Sequence, residues 1–267
     1  MILTNITEDE YIIEQLKRFK LVDMREKYSE IIEDAIREKY GYKEFLIKLL
    51  QSEEDGKNQR LTRKLTLKAN FDFIKTLEDI KYEFNDTINY QKIKELGTLS
   101  FMNKNENIII IGPPGVGKSM IATGIGIKAC NEGKHVLFTN AADLMEKLST
   151  AVSKGQIKQE LNKLSKIDLL IIDELSYLKM DKEKESIFFQ IIRQRYEKRS
   201  LIITTNLPMG KWDEIFTGQL AATAILDRLV HHCHVISITG DSFRVKGERF
   251  SDLKSIVPKT IAMKGEK

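Results

Sequence analysis

The octapeptide GPPGVGKS, Gly112–Ser119, has the composition of a phosphate grip. It matches G-x-x-x-x-G-K-[ST] in full, follows a strand-like apolar run and opens a segment predicted to be helical, the setting this motif needs. Its glycines let successive backbone N–H groups curl around a β-phosphate. The N-terminus of the following helix adds positive potential. The spacing therefore predicts a nucleotide site in which Gly112, Pro113, Pro114, Gly115, Val116, Gly117 and Met120 line the cradle. Lys118 is placed to reach the β- and γ-phosphates, and Ser119 to ligate Mg²⁺. A ligand-free glycine turn is the bland alternative, and the complete motif weighs strongly against it.

About 55 residues after Lys118, the run LLIIDE (Leu169–Glu174) ends in two carboxylates. Its apolar residues deliver Asp173 to the carboxyl end of a sheet, where α/β folds bind ligands. Asp173 there holds Mg²⁺, through water. Glu174 supplies a base that polarises an attacking water. A small-molecule kinase has less use for such a base, since its nucleophile is the substrate. LIITTN (Leu201–Asn206) is another strand with a polar end. Asn206 either orients the lytic water or senses the γ-phosphate, or it caps a turn ahead of Pro208. AILDRLVHH (Ala224–His232) carries Arg228. Hydrolysing oligomers often supply an arginine from a neighbouring subunit to neutralise transition-state charge. An Asp227–Arg228 pair on a solvated helix face fits the residue types equally well.

These residues need a scaffold that brings strand ends together. From Asn107 the chain alternates apolar runs of five or six residues with longer segments of helical character. The pattern predicts an α/β fold, a right-handed doubly wound parallel sheet of five strands flanked by helices. The spacing implies an extra strand between the phosphate-loop strand and the LLIIDE strand. Ahead of this lies a small all-helical region, with Met24, Tyr28, Ile31, Ala35 and Ile36 at helical spacing. SEEDGKN (Ser52–Asn58) reads as a polar turn and a boundary. The expected organisation is a helical domain over 1–56, a basic helix and linker over 57–102, and the nucleotide-binding domain over 103–267. Residues 90–101 are expected to form one helix.

The basic stretch is GKNQRLTRKLTLKANF, Gly56–Phe71, which holds five cations and no acid. On a helix, Arg60, Lys64 and Lys68 fall at i, i+4 and i+8 and share a face with Lys57. With Arg63 they form a candidate track for nucleic-acid phosphates, salt-dependent and largely indifferent to sequence. A solvated lysine face is the plain alternative. Lys154 and Lys158 form a second candidate contact. HHCH (His231–His234) reads as a helix-to-strand junction, because four adjacent residues cannot all turn toward one tetrahedral ion. Trp212, the only tryptophan, reads as packing.

Composition limits the rest. The chain of 267 residues is 42% hydrophobic and 31% charged, with a net charge of +4. That permits an anionic partner without requiring one. Cys130 and Cys233 lie far apart and argue against a disulfide framework. No apolar run approaches the roughly 20 residues of a membrane span. With no signal peptide apparent, the cytoplasm is the expected location.

Taken together, the phosphate loop, LLIIDEL, IITTN and ILDRLVHHCHVISITGDSFR resemble the IstB-like ATPases. These are AAA+ helpers of insertion-sequence transposition, related to DnaC-type helicase loaders. The resemblance covers nearly the whole chain, including the linker KTLEDIKYEF (Lys75–Phe84). It implies an AAA+ sheet behind a helical N-terminal domain. The implied activity is ATP hydrolysis with Mg²⁺, coupled to assembly on duplex DNA and service to a cognate transposase. A DnaC-like helicase loader is the alternative. The resemblance implies that Lys118 and Ser119 contact nucleotide and Mg²⁺, that Asp173 and Glu174 form the acidic pair, and that Asn206 is the first sensor. It makes Arg228 an arginine finger acting in trans within a homo-oligomer. The chain departs from the usual AAA+ pattern after Gly240. Only about 27 residues follow, too few for a full helical lid, so Arg244 is the candidate substitute for the lid's sensor arginine.

Overall fold

The computed structural model describes residues 7–80, 85 and 87–240, with the side chain of Tyr177 excepted. Arg244 and the last part of the KTLEDIKYEF linker lie outside the described residues. The chain forms two compact units, Met1–Leu65 and Thr66–Lys267.

The first unit is helical, as its spacing predicts. Helix α1 spans Glu8–Arg18, α2 spans Val22–Glu38, and α3 begins at Tyr42 and runs unbroken to Lys68. Thr7 starts α1 with a capping box: its hydroxyl accepts the Glu10 N–H at 3.2 Å, and the Glu10 carboxylate accepts the Thr7 N–H at 2.8 Å. The core is small, made of Met24, Tyr28 and Leu49 with Leu16, Leu21, Ile31, Ile32 and Phe45 around them.

The expected turn at Ser52–Asn58 is instead the middle of α3. Gly56 is there for a close approach between helices. A Cβ on it would lie 1.8 Å from Cγ of Asp23, at the start of α2. The neighbouring Glu53 explains why the helices meet so tightly. The first helical N–H groups of α2 get no side-chain cap from Leu21. Glu53 supplies it from α3, accepting the N–H of Asp23 at 2.9 Å and of Met24 at 3.1 Å. Glu53 is buried, so its charge needs compensation. Lys57 and Arg60 each lie 3.6 Å from its Oε1, and Arg60 also pairs with Asp23. Two of the five cations in the basic stretch are therefore committed to acids of their own unit.

The second unit is built on a five-stranded sheet. The strands are β1 (Asn107–Ile111), β2 (Val136–Asn140), β3 (Leu169–Asp173), β4 (Ser200–Thr205) and β5 (Cys233–Ser237). Their order is β2-β3-β4-β1-β5, and every pairing is parallel. The extra strand expected between β1 and β3 is β4. The residues of β3 and β4 are buried throughout, which is why these strands read as near-continuous apolar runs. Helices α6 (Lys118–Asn131), α7 (Ala141–Ser153), α8 (Ile157–Ser165), α9 (Lys182–Arg195) and α10 (Gln219–Val230) connect them. The helix expected over 90–101 is two: α4 (Tyr90–Leu96) and α5 (Ser100–Asn103), separated where Leu99 takes φ 62°. The residues just after α3 pack on the edge strand β2. Ala69 O accepts the Phe138 N–H at 2.7 Å, and the Phe71 ring lies 6.0 Å from that of Phe138. Trp212 is fully buried, with its indole N–H on Leu207 O at 3.3 Å, a packing role. No described helix is long and apolar enough to cross a membrane.

One buried cation ties the foot of this sheet together. Arg195, 1% exposed, donates to the carbonyls of Leu164 and Ile167 from one nitrogen and of Asp168 and Ser200 from the other. It thereby joins the end of α8 to the starts of β3 and β4. Burial, and secondarily Arg199, push its pKa down to about 10, so it stays charged at neutral pH. Arg195→Met keeps the volume and deletes the donors. It is expected to lower unfolding free energy by about 3 kcal/mol, the scale of buried acceptors left unpaired. Denaturant titration at neutral pH measures this, and a loss under about 1 kcal/mol contradicts it.

Candidate nucleotide-binding and hydrolysis site

The phosphate loop occupies the carboxyl end of β1, as the motif predicts. Gly115 and Gly117 take φ 81° and 96°, left-handed values that a side chain would strain, and Gly117 opens α6. No side chain caps α6, so its first N–H groups are left for an anion. Gly112 N–H is held by Thr205 O at 3.1 Å. Lys118 Nζ folds back over the loop onto Pro113 O at 2.9 Å. Pro114, Val116 and Met120 lie in the same loop and first turn. A clasp closes this side of the site. Asn85 Nδ2 donates to Thr239 O at 2.9 Å, and Thr87 Oγ1 accepts the Thr239 N–H at 3.0 Å. Spacing carries no sign of this clasp, because 154 residues separate Asn85 from Thr239.

The acidic pair meets the loop directly. Ser119 Oγ donates to Asp173 Oδ1 at 3.0 Å. Asp173 is 5% exposed and also accepts the Thr204 hydroxyl from β4. Thr204 Oγ1 in turn accepts the Glu174 N–H at 3.0 Å. Glu174 adopts φ 58°, ψ 42°, a left-handed kink that turns the chain sharply after β3. Its Oε2 accepts from Asn140 Nδ2 at 3.0 Å. Asn140 ends β2 and pairs in register with Asp173; its other side-chain atom, Oδ1, caps α7 through the Ala142 N–H at 2.9 Å. A third carboxyl adds to the local field. Asp72 titrates above the usual range, from desolvation first and then from the charges of Asp173 and Asp143.

Asn206 stands one residue beyond β4. Its N–H donates to Ser176 Oγ at 3.1 Å, while its side-chain Oδ1 is buried with no partner. The turn ahead of Pro208 is fastened by Thr205, whose Oγ1 accepts the Leu207 N–H at 3.1 Å. Asn206 is therefore not used as the cap of that turn.

These residues fit ATP and Mg²⁺. The loop offers left-handed glycines and uncapped amides to phosphate. Ser119 and Asp173 offer adjacent hard oxygens to a divalent cation. The orphaned Asn206 Oδ1 is a buried polar atom awaiting a partner. Thr204 and Asn140 escape sequence reading, because only the packing of neighbouring strands brings them to the acidic pair, and Asp72 escapes it because it lies in the segment after α3, far from the pair in sequence.

The remaining candidates lie elsewhere. Arg228 is near the far end of α10, stacked on Phe189 with Cζ 4.8 Å from the ring centroid and Nη1 on Ala224 O at 2.8 Å. Arg63, Lys64 and Lys68 are exposed on α3, whereas Arg60 is tied to Asp23 and Glu53. Lys154 ends α7. Lys158 lines a cleft with Asn162, Gln190, Gln194 and Lys198, a lining that contains no carboxylate.

The IstB-like ATP binding protein family matches residues 14–251. The ATP-binding protein of insertion sequence IS21 from Pseudomonas aeruginosa is 38% identical over 234 residues, 88% of each chain. Its counterpart in insertion sequence IS232 of Bacillus thuringiensis subsp. berliner is also 38% identical, over 86% of this chain and 92% of that one. Among solved structures, that of DnaI superposes with a TM-score of 0.55 at 19% identity, over 66% of this chain and 94% of that one. The likeness is one of fold, the AAA+ arrangement of a parallel sheet behind a phosphate loop. Family match, fold and phosphate loop agree: the chain belongs to the IstB-like ATP-binding proteins.

Proposed function

We propose that the protein is a Mg²⁺-dependent ATPase that assembles as a homo-oligomer on duplex DNA and assists the transposase of its insertion sequence in selecting or remodelling target DNA. The observation that carries the reading is the meeting of Ser119, Asp173, Glu174 and the orphaned Asn206 at adjacent strand ends around a complete phosphate loop. The names of the relatives tie that motor to insertion sequences. The proposed setting is the cytoplasm.

ATP supplies the phosphoanhydride to be cleaved, and Mg²⁺ neutralises charge on its phosphates. Lys118 leaves Pro113 O for the terminal phosphates. Ser119 and Asp173 hold the ion. Glu174 polarises the attacking water, and Asn206 orients it. While Asn140 holds the Glu174 carboxylate, the base is turned to a neighbour; releasing that hydrogen bond frees it for water. Arg228 serves a neighbouring subunit.

Phosphate release from ATP with no other acceptor, stimulated by duplex DNA, tests the motor. Pull-downs against the cognate transposase and a replicative helicase test the role, and capture of the helicase alone overturns it in favour of a loader.

The proposed DNA contacts are Arg63, Lys64 and Lys68, with Lys154 and Lys158 as a second set. Arg60 is kept out of the track by its ion pairs. Reversing Arg63, Lys64 and Lys68 to Glu together is expected to weaken duplex binding and to flatten its salt dependence. The slope of log K against log salt should fall by about 0.9 for each phosphate no longer neutralised, up to roughly 3. An unchanged slope returns this face to a solvated one.

A further inference from the structure

His231 and His232 follow α10, and Glu197 lies between α9 and β4. All five strands are parallel, so the turns entering β4 and β5 share the amino-terminal edge of the sheet, opposite the phosphate loop. There both imidazoles face one carboxylate. His231 Nδ1 lies 3.8 Å and His232 Nε2 3.7 Å from Glu197 Oε1. The three ligand atoms all lie within 4.8 Å of one another, the one such group of three among the described residues. Tyr196 Oη borders the cluster, 3.0 Å from His231 Nδ1.

We propose that Glu197, His231 and His232 form a site for a borderline divalent transition metal, with Zn²⁺ as the fitting ion. Two imidazoles and a carboxylate are a three-ligand zinc set that leaves a fourth position for water. Bonds of about 2.0–2.2 Å at tetrahedral angles put donor atoms roughly 3.3–3.5 Å apart. The observed separations from Glu197 need to close by only a few tenths of an ångström, within reach of exposed side chains. The imidazoles select this class of ion over Mg²⁺ or Ca²⁺, which take oxygen ligands.

Adjacency within the HHCH run does not exclude this set. Of the four adjacent residues only two turn to the cluster, and the third ligand comes from another turn. Cys233 begins β5, and His234 Nε2 pairs with Glu106 at 2.8 Å. The alternative for the cluster is a pair of exposed ion contacts, which contribute little. A bound ion ties the turn into β4 to the turn into β5. It thereby anchors the end of α10 one helical turn beyond Arg228, without reaching the nucleotide. Such binding is independent of hydrolysis.

Calorimetric titration of the full chain with Zn²⁺, under excess Mg²⁺ to fill the Ser119–Asp173 site, provides the test. One equivalent is expected to bind, weakened by ~10-fold or more in Glu197→Gln and in His232→Ala, since removing even a group that merely orients a ligand costs that much. His234→Gln should leave it unchanged. Co²⁺ in place of Zn²⁺ should give the visible absorption of a four-coordinate ion, absent from the same two variants. These side chains are exposed, so the metal-free variants should keep the wild-type melting temperature. Equal Zn²⁺ uptake by wild type and Glu197→Gln overturns the site, as does uptake abolished by His234→Gln instead.

Discussion

Glu174→Gln is expected to lower phosphate release by about 10²–10⁴-fold, the span that a positioned general base contributes, while ATP binding and ATP-dependent assembly persist. The geometry explains the separation. The Glu174 backbone N–H, on Thr204 Oγ1, is untouched by the change. Ser119 and Asp173 keep their own hydrogen bond, so the proposed Mg²⁺ ligands are intact. A glutamine Oε1 still accepts from Asn140 Nδ2, so the left-handed turn after β3 keeps its support. What disappears is the charge that draws a proton from water. Filter binding of ATP should match wild type, and single-turnover phosphate release should collapse. Wild-type release by the variant removes Glu174 as the base that activates water.

The layout of the candidate site was legible because its parts are local or nearly so. The phosphate loop is one octapeptide. Asp173, Glu174 and Asn206 come straight off strands whose buried faces force apolar runs. Even the insertion of β4 between β1 and β3 follows from the order of polar strand ends. What was illegible depends on register and helix crossing. Asn140 and Thr204 are ordinary polar strand residues until pairing places one opposite Asp173 and the other beneath Glu174. Gly56 in SEEDGKN has the chemistry of a turn, yet it lies inside α3, where the close approach of Asp23 leaves no room for a side chain. The same crossing explains Arg60. Its charge looks available in a linear reading, yet Glu53, buried to cap α2, requires it. The acid that balances part of the basic stretch was 37 residues away for Arg60 and Asp23, beyond the range of any helical-spacing argument.

Arg228→Ala is expected to reduce hydrolysis by about 10³-fold or more, the contribution of an arginine finger, with ATP binding unchanged. The fold favours action in trans. Helix α10 runs toward the amino-terminal edge of the sheet, because β5 starts there shortly after Val230 and runs parallel to β1. Arg228 sits about 14 Å along that helix from Gln219 at 1.5 Å per residue, on the side away from its own phosphate loop. Its guanidinium rests on Phe189. Mixing separates trans from cis. A Lys118→Ala chain has a disabled loop and an intact Arg228, and an Arg228→Ala chain has the reverse. In a random one-to-one assembly, about a quarter of interfaces join an intact loop to an intact arginine if the finger crosses between subunits. Two inactive proteins should then recover up to about a quarter of wild-type turnover when combined. Co-assembly without recovery removes the trans assignment. Normal turnover by Arg228→Ala alone leaves Arg228 as a helix-surface cation stacked on an aromatic ring.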